Sequence, residues 1–202
     1  MKLEVPFYQQ RSALNCGPTA LKMAFEYLGK DLPIELIEEK SRMNDGKGVS
    51  TLKLALAAIE LGFKTTLYTK TLQFNEEHLK LEFYKNYGDL DTLQCSLLIK
   101  ETQEKGAHLE EKQLDLQTIL NYLDENTIVI VLLDWSVVLH NKEKGYNGHF
   151  VPLVGYDEEN IYVHNQGNLN PTPYLAIPTH IFEEARMAQG TDEDLLILSS
   201  NL

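Results

Sequence analysis

Between Asn15 and Gly29 every local signal for one helix agrees. Apolar residues fall at Ala20, Leu21, Ala24, Phe25 and Leu28, the spacing of a single buried face. Asn15 is a good N-cap residue, Pro18 suits a first turn, and Gly29 follows the last apolar position. A helix with so definite a start puts Cys16 at its N-terminal end. Free N–H groups and the positive end of the helix dipole favour a thiolate there, and the thiolate is the useful nucleophile. The bland alternative is a small buried residue near a helix start. Cys95, between Gln94 and Ser96 in a helical stretch, has no such setting and reads as packing.

The rest of the chain divides by texture. A short helix is expected after Pro33, and a third after Ser50 or Thr51, with Leu52, Leu56 and Ile59 on one face. Phe63, Thr65 and Leu67 alternate as in a strand. Residues 75–125 look mostly helical, with stripes at Leu79, Phe83 and Tyr87, at Leu90, Leu93 and Leu97, and at Leu116, Ile119, Leu120 and Leu123. The charged stretch 100–112 reads as a solvated face or loop. From Thr127 the pattern turns to strands: Thr127 to Leu133, a hairpin from His149 to Tyr156 and Asn160 to His164, and Leu195 to Ser199. Residues 167–173 read as irregular and Thr179 to Ala188 as a helix. Helices first and strands later favour an α+β fold with a mostly antiparallel sheet.

Composition bounds the function. Eighteen Lys and Arg against 30 Asp and Glu give a net charge of −12 over 202 residues. Phosphate recognition rests on clustered cations, so neither nucleic acid nor an anionic membrane surface is an expected partner. Two cysteines 79 positions apart make no disulfide framework and fit a reducing compartment. The N-terminus has no apolar signal-peptide core, and the run from Ile128 to Leu133 is too short to span a bilayer. The expectation is a cytoplasmic protein of one domain, 1–202.

A cysteine nucleophile needs a base within reach, and the base needs an orienting partner. Of six histidines, His78 and His108 lie in polar sequence and read as surface residues, and His140 and His180 as loop or helix-start positions. His149 differs: it opens a strand after Gly148, ahead of the apolar run that begins at Phe150. In a hairpin the end of one strand lies beside the start of the other, so Asn165 is the expected neighbour of His149. His164 should face the opposite way. Either Gln9 or Gln10, in the loop before Cys16, could supply a side-chain donor to an oxyanion. No Cys-x-x-Cys or His-Glu-x-x-His spacing occurs, so no metal and no cofactor is expected.

The pattern of Gln10, then Cys16-Gly17-Pro18-Thr19, then Gly148-His149-Phe150-Val151 with Gly155-Tyr156-Asp157, then Tyr162-Val163-His164-Asn165, resembles papain-like cysteine peptidases. Within them it is most similar to the bacterial bacteriocin-leader-processing peptidases, with phytochelatin synthases a more distant likeness. The resemblance covers about residues 3–65 and 127–200. It implies the papain-like fold, a peptide or protein substrate, Cys16 as nucleophile, His149 as base and acid, Asn165 as orienter and Gln10 as oxyanion donor. The family commonly has Asp where this chain has Asn165, which would orient the imidazole without adding charge. Residues 70–115 match nothing in that pattern and stand as a helical insertion, a lid or a partner surface. The implied activity is a peptidase or amidase; a transpeptidase, acyltransferase or deamidase with the same residues, or an idle binding module on the same fold, are the alternatives.

Overall fold

The computed structural model describes residues 1–200. Its first helix, α1 (Cys16–Tyr27), forms where the pattern predicts and buries Ala20, Leu21, Ala24 and Phe25. Helix α2 (Ile34–Lys40) follows Pro33, and α3 (Thr51–Glu60) begins after Ser50, whose hydroxyl accepts from the Lys53 N–H. Gly17 has a steric reason: a Cβ there would lie 2.9 Å from Leu54 Cδ1, so a larger residue would have to displace the Leu54 side chain of α3.

These helices pack on one seven-stranded sheet built from β1 (Lys64–Thr69), β2 (His108–Glu111), β3 (Thr127–Asp134), β4 (Gly148–Tyr156), β5 (Asn160–Asn165), β6 (Thr172–Pro178) and β7 (Leu195–Ser199). The order is β2-β1-β7-β3-β4-β5-β6. Only the β1–β2 pair is parallel; all other neighbours are antiparallel. The β-branched run of β3 is buried from Ile128 to Asp134, as a strand covered on both faces must be. The architecture is α+β, as the order of elements implies.

The stretch 70–115 departs most from expectation. Leu79 does not share a helix with Phe83 and Tyr87: a 3-10 turn over Glu76–Lys80 ends before α4 (Glu82–Tyr87). In α5 (Thr92–Glu104) the buried face is Cys95, Leu98 and Thr102, while Leu93 and Leu97 are exposed. The charged stretch is not wholly a solvated loop, because His108–Glu111 adds an edge strand beside β1. Strand β6, which the sequence left partly in a loop, pairs with β5 through Val163 and Leu175. Helices α6 (Leu116–Leu120), α7 (Trp135–Val138) and α8 (Thr179–Arg186) complete the described elements. Among the described residues no helix is long and apolar enough to cross a membrane.

Residues 70–115 are fastened to the core by buried polar contacts. Lys53 Nζ on α3 meets Asp89 at 2.7 Å, with both side chains nearly sealed from solvent. The Gly48 N–H donates to Tyr87 O, and the Tyr84 hydroxyl donates to Gly190 O. His78, Tyr84 and Tyr146 stack in a column, with Phe83 edge-on to Tyr146. A Cβ on Gly148 would lie 2.7 Å from the Tyr146 hydroxyl, so this aromatic block presses directly on the residue before His149.

Candidate active site

Helix α1 begins without a side-chain cap. Asn15 was expected to supply one, but its Oδ1 accepts from the Ser12 N–H and its Nδ2 donates to Glu38. Asn15 thus braces the preceding loop, and its backbone carbonyl receives both the N–H and the hydroxyl of Thr19. The N–H groups of Cys16, Gly17 and Phe150 favour the charged form of the Cys16 sulfur, but burial is the larger effect and pushes the thiol up from its ordinary value. This corrects the reading of a standing thiolate: a helix start supplies only partial charges, and desolvation of a full charge outweighs them here.

His149 sits at the head of β4, opposite Leu133 of β3, and is buried. Its Nε2 lies 3.1 Å from Asn165 Oδ1. The same Oδ1 accepts from the Gly167 N–H at 3.0 Å, while Asn165 Nδ2 donates to Asn170 O at 2.9 Å. These contacts fix the Asn165 amide with its oxygen toward the ring. Nε2 must therefore carry the proton, which leaves Nδ1 as the unprotonated nitrogen. Burial draws the His149 pKa down to about 4, against which the Asn165 contact pulls weakly upward. At neutral pH the pair is a thiol and a neutral imidazole.

Trp135, the chain's only tryptophan, packs edge-on to His149 with ring centroids 4.6 Å apart. It stands at the start of α7, directly after β3. Gln166 was also overlooked, because Asn-Gln-Gly reads as loop sequence. The only available signals were a lone tryptophan closing an apolar strand and a glutamine next to Asn165.

Gln10, Cys16, His149 and Asn165 line one cleft of about 820 Å³. Gln10 is buried; its Nε2 donates to Ser12 O at 2.7 Å and its Oε1 has no partner. Gln9, the other candidate donor, is exposed and does not line the cleft. His164 faces away from the cleft, with Nε2 at Val5 O and Nδ1 accepting from the Tyr174 N–H. Phe74, His78, Phe83 and Tyr84, from residues 70–115, also line the cleft. His78 is not the surface residue expected, since it is mostly enclosed and lies 3.1 Å from Asp192. Cys95 also lines the cleft; its thiol donates to Leu72 O, and burial pushes its pKa up to about 11. Among the described residues no three His, Cys, Asp or Glu side chains come together as a metal site.

The fold is that of the papain-like C39 peptidase domains. It superposes on a double-glycine-motif protease from an AMS/PCAT transporter, solved with a leader peptide, at a TM-score of 0.56 and 17% identity, covering 99% of this chain and 94% of that one. The peptidase domain of Streptococcus ComA gives a TM-score of 0.56 at 15% identity, covering 98% and 100%, and a C39-like protein from Bacillus anthracis gives 0.60 at 18%, covering 100% and 98%. Within that fold the chain belongs to the family described as guanylylate cyclase, whose model matches residues 5–198. A relative in Arabidopsis thaliana, guanylyl cyclase 1, is 24% identical over 98% of this chain and 76% of its own length. The sequence reading reached the fold and not this family, because the motif residues it used are those of the peptidase skeleton.

Proposed function

We propose that the protein is a cysteine-dependent acyl-transfer enzyme that cleaves a peptide or amide bond. The observation that carries the reading is the contact of His149 Nε2 with Asn165 Oδ1 in the cleft that Cys16 lines: an amide oxygen facing the ring calls for a protonated Nε2 and leaves Nδ1 as the base. Cys16 Sγ attacks the substrate carbonyl carbon while its proton passes to His149 Nδ1. The Cys16 N–H and the second Nε2 proton of Gln10 stabilise the resulting oxyanion. The carbon–nitrogen bond then breaks, and His149 returns the proton to the leaving amine. Water, deprotonated by His149, attacks the thioester to give a carboxylate and the free thiol. An amine acceptor in place of water would make a transpeptidase, and a glutamine side chain as substrate a deamidase. The neutral resting pair suits a site where the proton moves only as the bond forms. The substrate is a peptide or protein, in keeping with the leader peptide held by the double-glycine protease.

The second reading is the family's name. A cyclase would join the 3′-hydroxyl of GTP to its α-phosphate and release pyrophosphate. Lys85 and Lys144 are the only lysine or arginine residues lining the cleft among those described, beside Asp89, Asp192 and Asp194. One experiment separates the readings. The protein, Cys16→Ala and His149→Ala are each incubated with a fluorogenic peptide library, and in parallel with GTP and magnesium or manganese while cyclic product and pyrophosphate are measured. The acyl-transfer reading expects peptide cleavage that both substitutions abolish. GTP turnover that survives Cys16→Ala, without any peptide cleavage, would sink it.

A further inference from the structure

Gln166 makes contacts that local packing does not require. Its side chain is wholly buried, and its two Nε2 protons meet two backbone carbonyls on different elements. One is Cys16 O at 3.0 Å, at the tip of α1; the other is Phe150 O, on β4 directly after His149. The Gln166 carbonyl accepts from the Gln10 N–H at 2.9 Å. The residue before it is Asn165. One buried residue therefore joins the helix that carries the sulfur, the strand that carries the imidazole, the orienting asparagine and the loop that carries Gln10. Both donors are spent and no other side chain of this size offers the pair. The Oε1 has no protein partner, a cost that an apolar residue would avoid.

We propose that Gln166 is a positioning residue that sets the separation of Cys16 Sγ and His149 Nδ1. This rests on the thiol–imidazole reading above. The two groups sit on elements from opposite ends of the sequence, and the Gln166 amide locks them through backbone carbonyls, whose positions depend little on side-chain rotamers. A misplacement of the order of 1 Å between reacting groups costs about 10²-fold in rate. Glutamate in its place would bring a carboxylate against two carbonyl oxygens, and methionine would keep the volume without the donors.

The test is the pH dependence of Cys16 alkylation by iodoacetamide in the full-length protein, followed by mass spectrometry with Cys95 as internal reference. Wild type is expected to react near neutrality through a limb that His149→Ala removes. Gln166→Met is expected to lower that limb by about 10²-fold while keeping the limb above pH 9, where His149 is not needed. The Gln166→Met, His149→Ala double variant should match His149→Ala alone, a non-additivity that general destabilisation would not produce. A neutral limb within twofold of wild type in both Gln166→Met and Gln166→Glu overturns the positioning role and leaves the Cys–His reading standing. Identical profiles for wild type and His149→Ala end both. A measurement on wild type covers variants that do not fold: both side-chain amide protons of 15N-labelled Gln166 should exchange slowly and shift on alkylation of Cys16. Exchange as fast as that of the exposed Gln103 amide overturns the proposal.

Discussion

Replacing Asp194 by asparagine should stabilise the protein, and by an amount that grows with pH. Asp194 precedes β7 and lines the cleft, where it accepts from the Thr51 hydroxyl. Thr69 and His78 also favour its charged form and Asp192 opposes it, but burial is the largest cause, and its pKa rises from 3.8 to about 7. The sign follows from linkage. Below pH 4 the carboxyl is protonated in folded and unfolded chains alike, so the substitution changes nothing through charge. Between pH 4 and 7 the unfolded chain releases the proton and the folded chain keeps it, so wild type loses stability as pH rises. Three decades in proton affinity at about 1.4 kcal/mol each set a ceiling near 4 kcal/mol. Relaxation around the buried charge takes part of this, and about 2–4 kcal/mol is expected. Asparagine keeps an acceptor for Thr51. Urea unfolding of wild type and Asp194→Asn at pH 4, 5, 6 and 7.5 measures the difference, in which all other titrations cancel. A difference that is independent of pH, or that favours wild type increasingly as pH rises, would refute the argument.

His149 titrates in the opposite sense. Its folded pKa of about 4 lies below the ordinary 6.5, so the folded state gains stability as pH rises through that window and loses it as pH falls. The ceiling is about 3 kcal/mol, and His149→Ala should flatten the rise in urea titrations between pH 4 and 6.5; an unchanged slope would count against a neutral buried imidazole. Lys53→Met leaves the buried Asp89 without its partner and should cost about 3–5 kcal/mol. The Lys53→Met, Asp89→Leu double variant should recover most of that, and limited proteolysis of Lys53→Met should cut first near residues 80–90. Gln10→Ala should lower turnover about 10²-fold with KM little changed, as for one lost oxyanion donor; a change confined to KM would make Gln10 a substrate contact.

What was legible in the sequence was what local rules determine. The start and stop of α1, the strands on either side of Asp157, and the opposed faces of His164 and Asn165 follow from helix spacing, turn residues and the two-residue period of a strand. The segment 70–115 was not legible because tertiary contacts set its buried face. Leu93 and Leu97 satisfy a helical stripe yet point to solvent, while Cys95 and Thr102 turn inward on a helix that packs against α3. Edge strand β2 is polar because only part of it is covered, so the period-two signal is weak. Gln166 and Trp135 act through contacts more than a hundred and about a dozen positions away, respectively, and no local pattern marks either.

The charge state of the site shows the same division. Position along a helix argued for a lowered thiol pKa, but position is one term in a balance. Three backbone N–H groups at partial charge compete with the removal of a full negative charge from water, and burial of the sulfur decides the outcome. Side chains outside the quoted motif positions also shape the cleft: Phe83 and Tyr146 close on Gly148, and Phe74 and Tyr84 line it. A fold shared with peptidases therefore does not carry substrate or acceptor with it. If residues 70–115 set reactivity by excluding water, loosening them should do what distance from the site alone would not. Lys53→Met, which touches neither Cys16 nor His149, should bring the alkylation profile of Cys16 toward that of an exposed thiol. A profile identical to wild type in that variant, with residues 70–115 demonstrably released, would assign the raised thiol pKa to the contacts of α1 and β4 alone.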